Sequence, residues 1–327
     1  MRATLTHSLM LASFISSVSG SSQGLYVTMP TNGQLLLVNA SSNARTPIGT
    51  GLSGWLVPAC SPTAVDTTGK WIYAFARHTG DGPTSPWTLL SLELRDGTIR
   101  KSYELPSAFS PALAACDHAL AEDGSWHAFL AAVTHDATPR LIVYRFEYTW
   151  PFSNESIAFL DVPLASLDMG GVPAGGLTIT VSNFTVWVAL ERGLVGVDLL
   201  TRAPTRRLPI APLTSLVALQ YDESGAERRV FGMLLNGTGP DAALVSFADS
   251  GEGVPALSLF GIAGSGAAPR SAGAAAICGD RGTLALFTDH GSLDTLSLID
   301  GSLLSSVSAC WGNGVCPADI GCEPFVF

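Results

Sequence analysis

From residue 89 to residue 105 apolar and polar positions alternate, the alternation stops at Arg95-Asp96-Gly97, and then it resumes. A period of two on either side of an Asp-Gly pair predicts two antiparallel strands joined by a tight turn. The pattern returns from Gly33 (GQLLLVNASSNARTPIG), from Gly193 (GLVGVDLLTRAPTRRLPI) and from Thr295 (TLSLIDGSLLSSVSA). The strands leading into these turns centre on Val38, Leu92, Val143, Val197, Val245 and Leu298 and recur about every 50 residues, the mark of one supersecondary unit copied along the chain.

Each copy predicts four short strands. Copy two places its first two at 63–65 and 70–77, copy three runs 119–121, 126–134, 140–148 and 156–162, and copy four runs 177–181, 184–190, 193–199 and 205–210. Copies five and six begin at Leu216 and Ala274. With 34 Gly and 20 Pro spread through the chain there is little room for long helices. The expected fold class is therefore all-β: a six-bladed β-propeller of four-stranded antiparallel blades, with seven blades as the alternative count. The first copy lacks an innermost strand, and the segment Cys322 to Phe327 is expected to supply it and close the ring.

The turn pieces Asp96-Gly97, Val197-Asp198-Leu199-Leu200-Thr201 and Ile299-Asp300-Gly301 resemble the broad YVTN/quinoprotein-like group of propeller repeats. The resemblance covers most of 21–309 and implies a fold, because the shared motif describes a turn and not an activity. Ala64-Val65-Asp66-Thr67-Thr68-Gly69-Lys70-Trp71 superficially resembles the signature of quinone-cofactor propellers. It lies at an inner turn and is not repeated, so no quinone is expected.

The ends of the chain change the picture of where it works. Residues 1–20 join Arg2 to the apolar run Leu9 to Ile15 and small residues ending at Gly20, the order of a secretory signal peptide. Sequons follow at Asn39, Asn154, Asn183 and Asn236, and six cysteines at Cys60, Cys116, Cys278, Cys310, Cys316 and Cys322 suit an oxidising compartment. The expectation is a secreted, N-glycosylated, disulfide-bonded protein with propeller blades over 21–309 and a cysteine-rich closing segment over 310–327. Six cysteines allow 15 pairings, so connectivity stays open. A formal net charge of −10 disfavours a nucleic-acid partner. No later apolar run is long enough for a helical membrane span, and a monomer is expected.

Candidate chemistry sits in the loops. In a four-stranded meander the turns after the second and fourth strands share one end, and those after the first and third share the other. Asn39, Asn154 and Asn183 fall at the latter end and Asn236 alone at the former, which makes the former the expected ligand face. Its loops carry His78, Asp81, His135, Asp136, Glu191, Asp289 and His290. Imidazoles and carboxylates so placed could meet over a central channel, with His78, His135 and His290 as ligands of a divalent metal, or they could be ordinary residues of exposed turns. Asp66, Asp123, Asp222 and Asp280 at first turns read as turn formers, and Trp71, Trp126 and Trp187 as packing between blades.

No Gly-rich phosphate loop, nucleophile elbow or HExxH motif appears. The balance falls on recognition: an extracellular recognition or scaffold protein for a protein, peptide or glycan, with no cofactor. The alternative is a secreted metal-dependent hydrolase or lactonase-like enzyme with a central His/carboxylate site.

Overall fold

The computed structural model describes residues 25–28, 34–39, 44–56, 64–65, 71–81, 85–93, 95–105, 115–120, 126–134, 136–147, 156–173, 177–182, 185–210, 214–222, 229–236, 242–249, 258–262, 275–278, 282–288, 291–308 and 321–322. These residues form six antiparallel sheets, one for each copy of the repeat.

Sheet one holds β1 (Leu25–Thr28), β2 (Leu36–Asn39) and β3 (Arg45–Pro47), with β25 (Gly321–Cys322) on the free side of β1. Tyr26 lies opposite Cys322 and Val27 opposite Gly321, so this sheet joins residues from the two ends of the chain. Sheet two holds β4 (Trp55–Leu56), β5 (Ala64–Val65), β6 (Trp71–His78), β7 (Thr88–Glu93) and β8 (Ile99–Glu104). Its innermost strand comes in two pieces, β4 against the end of β6 and β5 against its start. Pro58 and Pro62 lie between the pieces in sequence, and proline has no N–H to give to a ladder.

Sheet three runs β9 (Ala115–Leu120), β10 (Trp126–Val133), β11 (Arg140–Glu147) and β12 (Ser156–Pro163). Sheet four runs β13 (Thr178–Val181), β14 (Thr185–Leu190), β15 (Gly193–Asp198) and β16 (Pro204–Pro209). Sheet five holds β17 (Thr214–Asp222), β18 (Arg229–Asn236), β19 (Ala242–Ala248) and β20 (Ser258–Ile262). Sheet six holds β21 (Ala275–Cys278), β22 (Thr283–Phe287), β23 (Ser292–Ser297) and β24 (Leu303–Ser308). In each of these four sheets neighbours in sequence are neighbours in space.

Burial explains the two kinds of apolar pattern. Every residue of β13 and β14 is buried, so these strands read as unbroken apolar runs, whereas outer strand β16 alternates in exposure. Sheets pack face to face with the next sheet along the chain. Phe129, Val143 and Phe159 of sheet three share a core with Ile179, Val186 and Val197 of sheet four. Phe129 meets Phe159 edge to face at 5.4 Å. Leu35 joins Leu90 and Leu92 between sheets one and two, and Trp187, Leu216, Val230 and Phe247 join sheets four and five. Trp187 is fully buried there, at 4.9 Å from the Phe247 ring, which is the packing role read from the sequence.

The turn from third to fourth strand is the same object in three sheets. Gly97 N–H donates to Glu93 O, Arg202 to Asp198 O and Gly301 to Ser297 O, at 2.8, 2.9 and 2.9 Å. The donor residue is left-handed each time, with φ of 68°, 56° and 72°. One extra residue then shifts the register of the hairpin, giving a bulge that twists the outer strand.

Candidate functional site

Antiparallel order puts the turns after β6, β10, β14, β18 and β22 at one end of their sheets, together with the connections that arrive from the preceding sheet. In sheet two, β4 lays Trp55 beside His78, with ring centroids 3.8 Å apart and planes tilted by 31°. Thr79 N–H donates to Gly54 O at 2.8 Å and Asp81 N–H to His78 O at 3.1 Å, which fixes the turn. The Arg77 guanidinium lies 5.0 Å from the Trp87 ring centre, an attractive cation–π distance. Trp87 is buried, Trp55 half-buried, and His78 and Asp81 exposed. The result is a firm aromatic surface with an accessible imidazole and carboxylate at its rim.

Sheet three uses its polar groups differently. Arg140 N–H donates to Thr134 Oγ1 and Thr134 N–H to Arg140 O, both at 3.0 Å, and Arg140 Nε donates to Asp161 Oδ1 at 2.7 Å. The hydrogen bond to Asp161, with the charges of Asp161 and Asp136, holds the Arg140 guanidinium more firmly protonated than usual. Asp136 is thus an exposed carboxylate in the field of a cation already paired.

In sheet four the arriving connection makes a 3-10 turn at Leu164–Leu167, then a left-handed Asp168 and a left-handed Gly170. Glu191 fastens it: Glu191 N–H donates to Gly171 O at 2.9 Å, and Glu191 Oε2 accepts Gly171 N–H at 3.0 Å. Arg192 N–H donates to Met169 O at 2.9 Å, and Arg192 Nη2 reaches Asp168 Oδ1 at 3.4 Å. One Glu191 carboxylate oxygen is therefore committed to holding two loops together. In sheet six, Thr288 and Ser292 hydroxyls meet at 2.7 Å across a turn containing the left-handed Gly291.

Of the residues singled out from sequence, His78 and Asp81 share one turn, and Asp136 and Glu191 stand in the corresponding turns of the next two sheets. His135, Asp289 and His290 lie outside the described residues, so the three-histidine arrangement is not visible. Among the described residues no group of three His, Cys, Asp or Glu side chains is placed to hold a metal ion. Asn39 ends β2 opposite Leu25, and Asn236 ends β18 opposite Thr214. Asn154 and Asn183 lie outside the described residues. Cys116 sits opposite Leu130, Cys278 opposite Thr283 and Cys322 opposite Tyr26, while Cys60, Cys310 and Cys316 lie outside them.

Sequence reasoning passed over Trp55 and Trp87, whose place beside His78 and Arg77 depends on the folded course of β4 and the approach to β7. It also passed over a buried node near the other end of sheets four and five. The Asp249 side chain, fully buried, accepts from Trp187 Nε1 at 3.1 Å, from Ser182 Oγ and from Arg206 Nη1. No local spacing links these residues; only the pairing of two sheets brings them together.

No family model matches the chain, and no curated protein matches it in sequence. Among solved structures it is similar to the β-propeller domain of Cps50 (Swd1) from Myceliophteria thermophila, at 13% identity and a TM-score of 0.50, with 87% of this chain and 83% of that one covered. It also matches a chain of the mitotic checkpoint complex at 8% identity and TM-score 0.48, covering 87% of this chain and 76% of that one. BamB from Moraxella catarrhalis matches at 12% identity and TM-score 0.42, covering 88% of this chain and 70% of that one. Together with the repeated antiparallel sheets, the likeness to the Swd1 domain makes the fold a β-propeller.

Proposed function

We propose that this chain is a secreted, N-glycosylated six-bladed β-propeller, closed by β25, that recognises an extracellular protein, peptide or glycan through the turns after its second strands. The observation that carries the reading is the Trp55–His78 surface with Asp81 at its rim, an aromatic anchor beside polar groups on a firm turn. Rigid aromatic area with a few hydrogen-bonding groups is what binding surfaces use for affinity. The other polar groups of this face support it: Arg140, Glu191 and Arg192 spend hydrogen bonds on holding loops. Loops held firmly on a rigid scaffold lose little entropy when they bind.

The test is expression of the full sequence in secreting eukaryotic cells, followed by a binding screen of the purified product against extracellular protein and glycan panels. The expected product is in the medium, shifts on removal of N-glycans, and binds a ligand about tenfold or more weaker as Trp55→Ala or His78→Ala, while Leu200→Ala on the opposite turn leaves binding unchanged. Retention inside the cell would refute secretion. Binding indifferent to Trp55 and His78 would refute this surface. Elemental mass spectrometry of the same sample decides the hydrolase alternative: about one tightly held metal per chain, lost in His135→Ala or His290→Ala, would replace recognition by metal chemistry.

A further inference from the structure

The sequon Asn183-Phe184-Thr185 falls where the chain passes from β13 to β14. Ser182 N–H donates to Thr185 O at 2.9 Å and Ser182 Oγ donates to the same carbonyl at 3.1 Å, which ties the two strands together at this point. Thr185 is the first residue of β14 and is fully buried, with 0% of its surface exposed. Its methyl lies against β15, where a Cβ on Gly196 would come within 2.9 Å of it. Its Oγ1 is buried too and finds no hydrogen-bond partner among the described residues, so the folded sheet neither shows this hydroxyl to solvent nor uses it.

A sequon is read through that hydroxyl. N-glycan transfer joins the asparagine amide nitrogen to C1 of an oligosaccharide carried on a lipid diphosphate: the N–C1 bond forms, the C1–O bond breaks, the amide gives up a proton and the lipid diphosphate leaves. The transferase holds its acceptor by the Ser or Thr hydroxyl two residues on, so burial of that hydroxyl denies it the site. We infer that Asn183 accepts a glycan only from the unfolded chain, and that burial of the Thr185 hydroxyl closes this sequon as sheet four forms. Strand β15 is made about ten residues after Thr185, and Asp249, which accepts from Ser182 Oγ, about 65 residues after it. At about 5 to 20 residues per second the sequon is open for a time on the order of seconds. Occupancy at Asn183 is thus set by a race between transfer and the closing of sheet four, and a chain that folds more slowly carries more sugar there. The inference rests on the secretory reading above and adds to it a dependence on folding.

Purified oligosaccharyltransferase and its lipid-linked donor, given the folded, glycan-free full chain, test this by mass spectrometry at Asn183. A peptide of residues 177–190 should be modified, and the folded chain at under about a tenth of the peptide's rate, because only its open fraction can react. Trp187→Phe should raise the full chain's rate about fivefold and Gly196→Val about tenfold or more, in the order of their lost stability. Thr185→Val should abolish transfer to Asn183 while near-ultraviolet circular dichroism stays that of the wild type. In secreting cells, occupancy at Asn183 should rise in the same order of variants. A folded chain modified as fast as the peptide would overturn the inference, as would a rate indifferent to both Trp187→Phe and Gly196→Val. A peptide that stays unmodified would overturn it too, since the sequon would then be refused for its own sequence and not for its burial. A chain kept in the cytosol of the secreting cells would refute secretion and leave the contrast between peptide and folded chain standing.

Discussion

Arg206 and Asp249 show what one ion pair can do when it is buried between sheets. The Asp249 carboxylate is fully buried and Arg206 nearly so, and Ser182 and Trp187 share the same acceptor. Removing the cation leaves a carboxylate in a dry site with only neutral donors. Arg206→Ala should therefore cost about 3 kcal/mol of unfolding free energy, read from urea midpoints, while Trp187→Phe should lose about 1 kcal/mol with the indole N–H. Equal small losses for both would mean that water reaches the site. At the turns the carboxylates are exposed and their effect is pH-dependent. Asp96 is held below the ordinary aspartate range by hydrogen bonds from Thr98, Asp198 by those from Thr201 and Leu200, and Asp300 by those from Ser302. A carboxylate whose folded pKa is depressed adds stability above its unfolded value of about 3.9 and loses it as pH falls through the folded value. Acid unfolding followed from about pH 5 to 2 should be less steep in Asp198→Asn than in the wild type.

Among the strands, β15 illustrates why a glycine sits inside a ladder. Gly196 lies opposite Trp187, and a Cβ there would meet the Thr185 methyl at 2.9 Å, the Trp187 ring at 2.9 Å and Arg206 Cβ at 3.0 Å. Gly196→Val should push the indole and guanidinium off Asp249, destabilising the protein by about 2 kcal/mol or more and blue-shifting buried tryptophan fluorescence less than in the wild type. Arg202 makes the opposite case. It occupies the left-handed position that Gly97 and Gly301 fill elsewhere, so Arg202→Gly relieves about 1 kcal/mol of strain. The loss of its contact with the Phe159 ring, 5.9 Å from the guanidinium, offsets about half of that, and the melting temperature should rise by a degree or two.

These strands were legible in sequence because their signals are local: the alternation around Asp96-Gly97 and the apolar run of β14 fixed type and order within a residue or so. Strand β9 was read too short, since Cys116, Asp117 and His118 interrupt its apolar pattern while its backbone still pairs with β10 from Ala115 to Leu120. Strand β4 was missed because two residues carry no period. The candidate site was legible only as positions in turns. That Glu191 would turn a carboxylate oxygen back to Gly171 depends on the arriving connection, which no spacing encodes.

For the whole molecule, the repeat length announced the architecture, and the ends of the chain carry its sharpest mechanical question. A chain ending at Ile320 keeps every other described sheet but leaves the inner side of β1 without its partner. Such a truncation should lower the melting temperature and speed hydrogen exchange first at Tyr26 and Val27, before sheets three to five are affected. Exchange lost uniformly would show that all sheets open together.

The pairing of Tyr26 with Cys322 also sets an order in time. A ribosome adding about 5 to 20 residues per second delivers sheets two to six one after another, each able to pack on its predecessor as it emerges. β1 is made about 300 residues ahead of its partner β25. Over those residues, tens of seconds at that rate, β1 waits without this partner, and the arrival of Gly321 and Cys322 decides when the waiting ends.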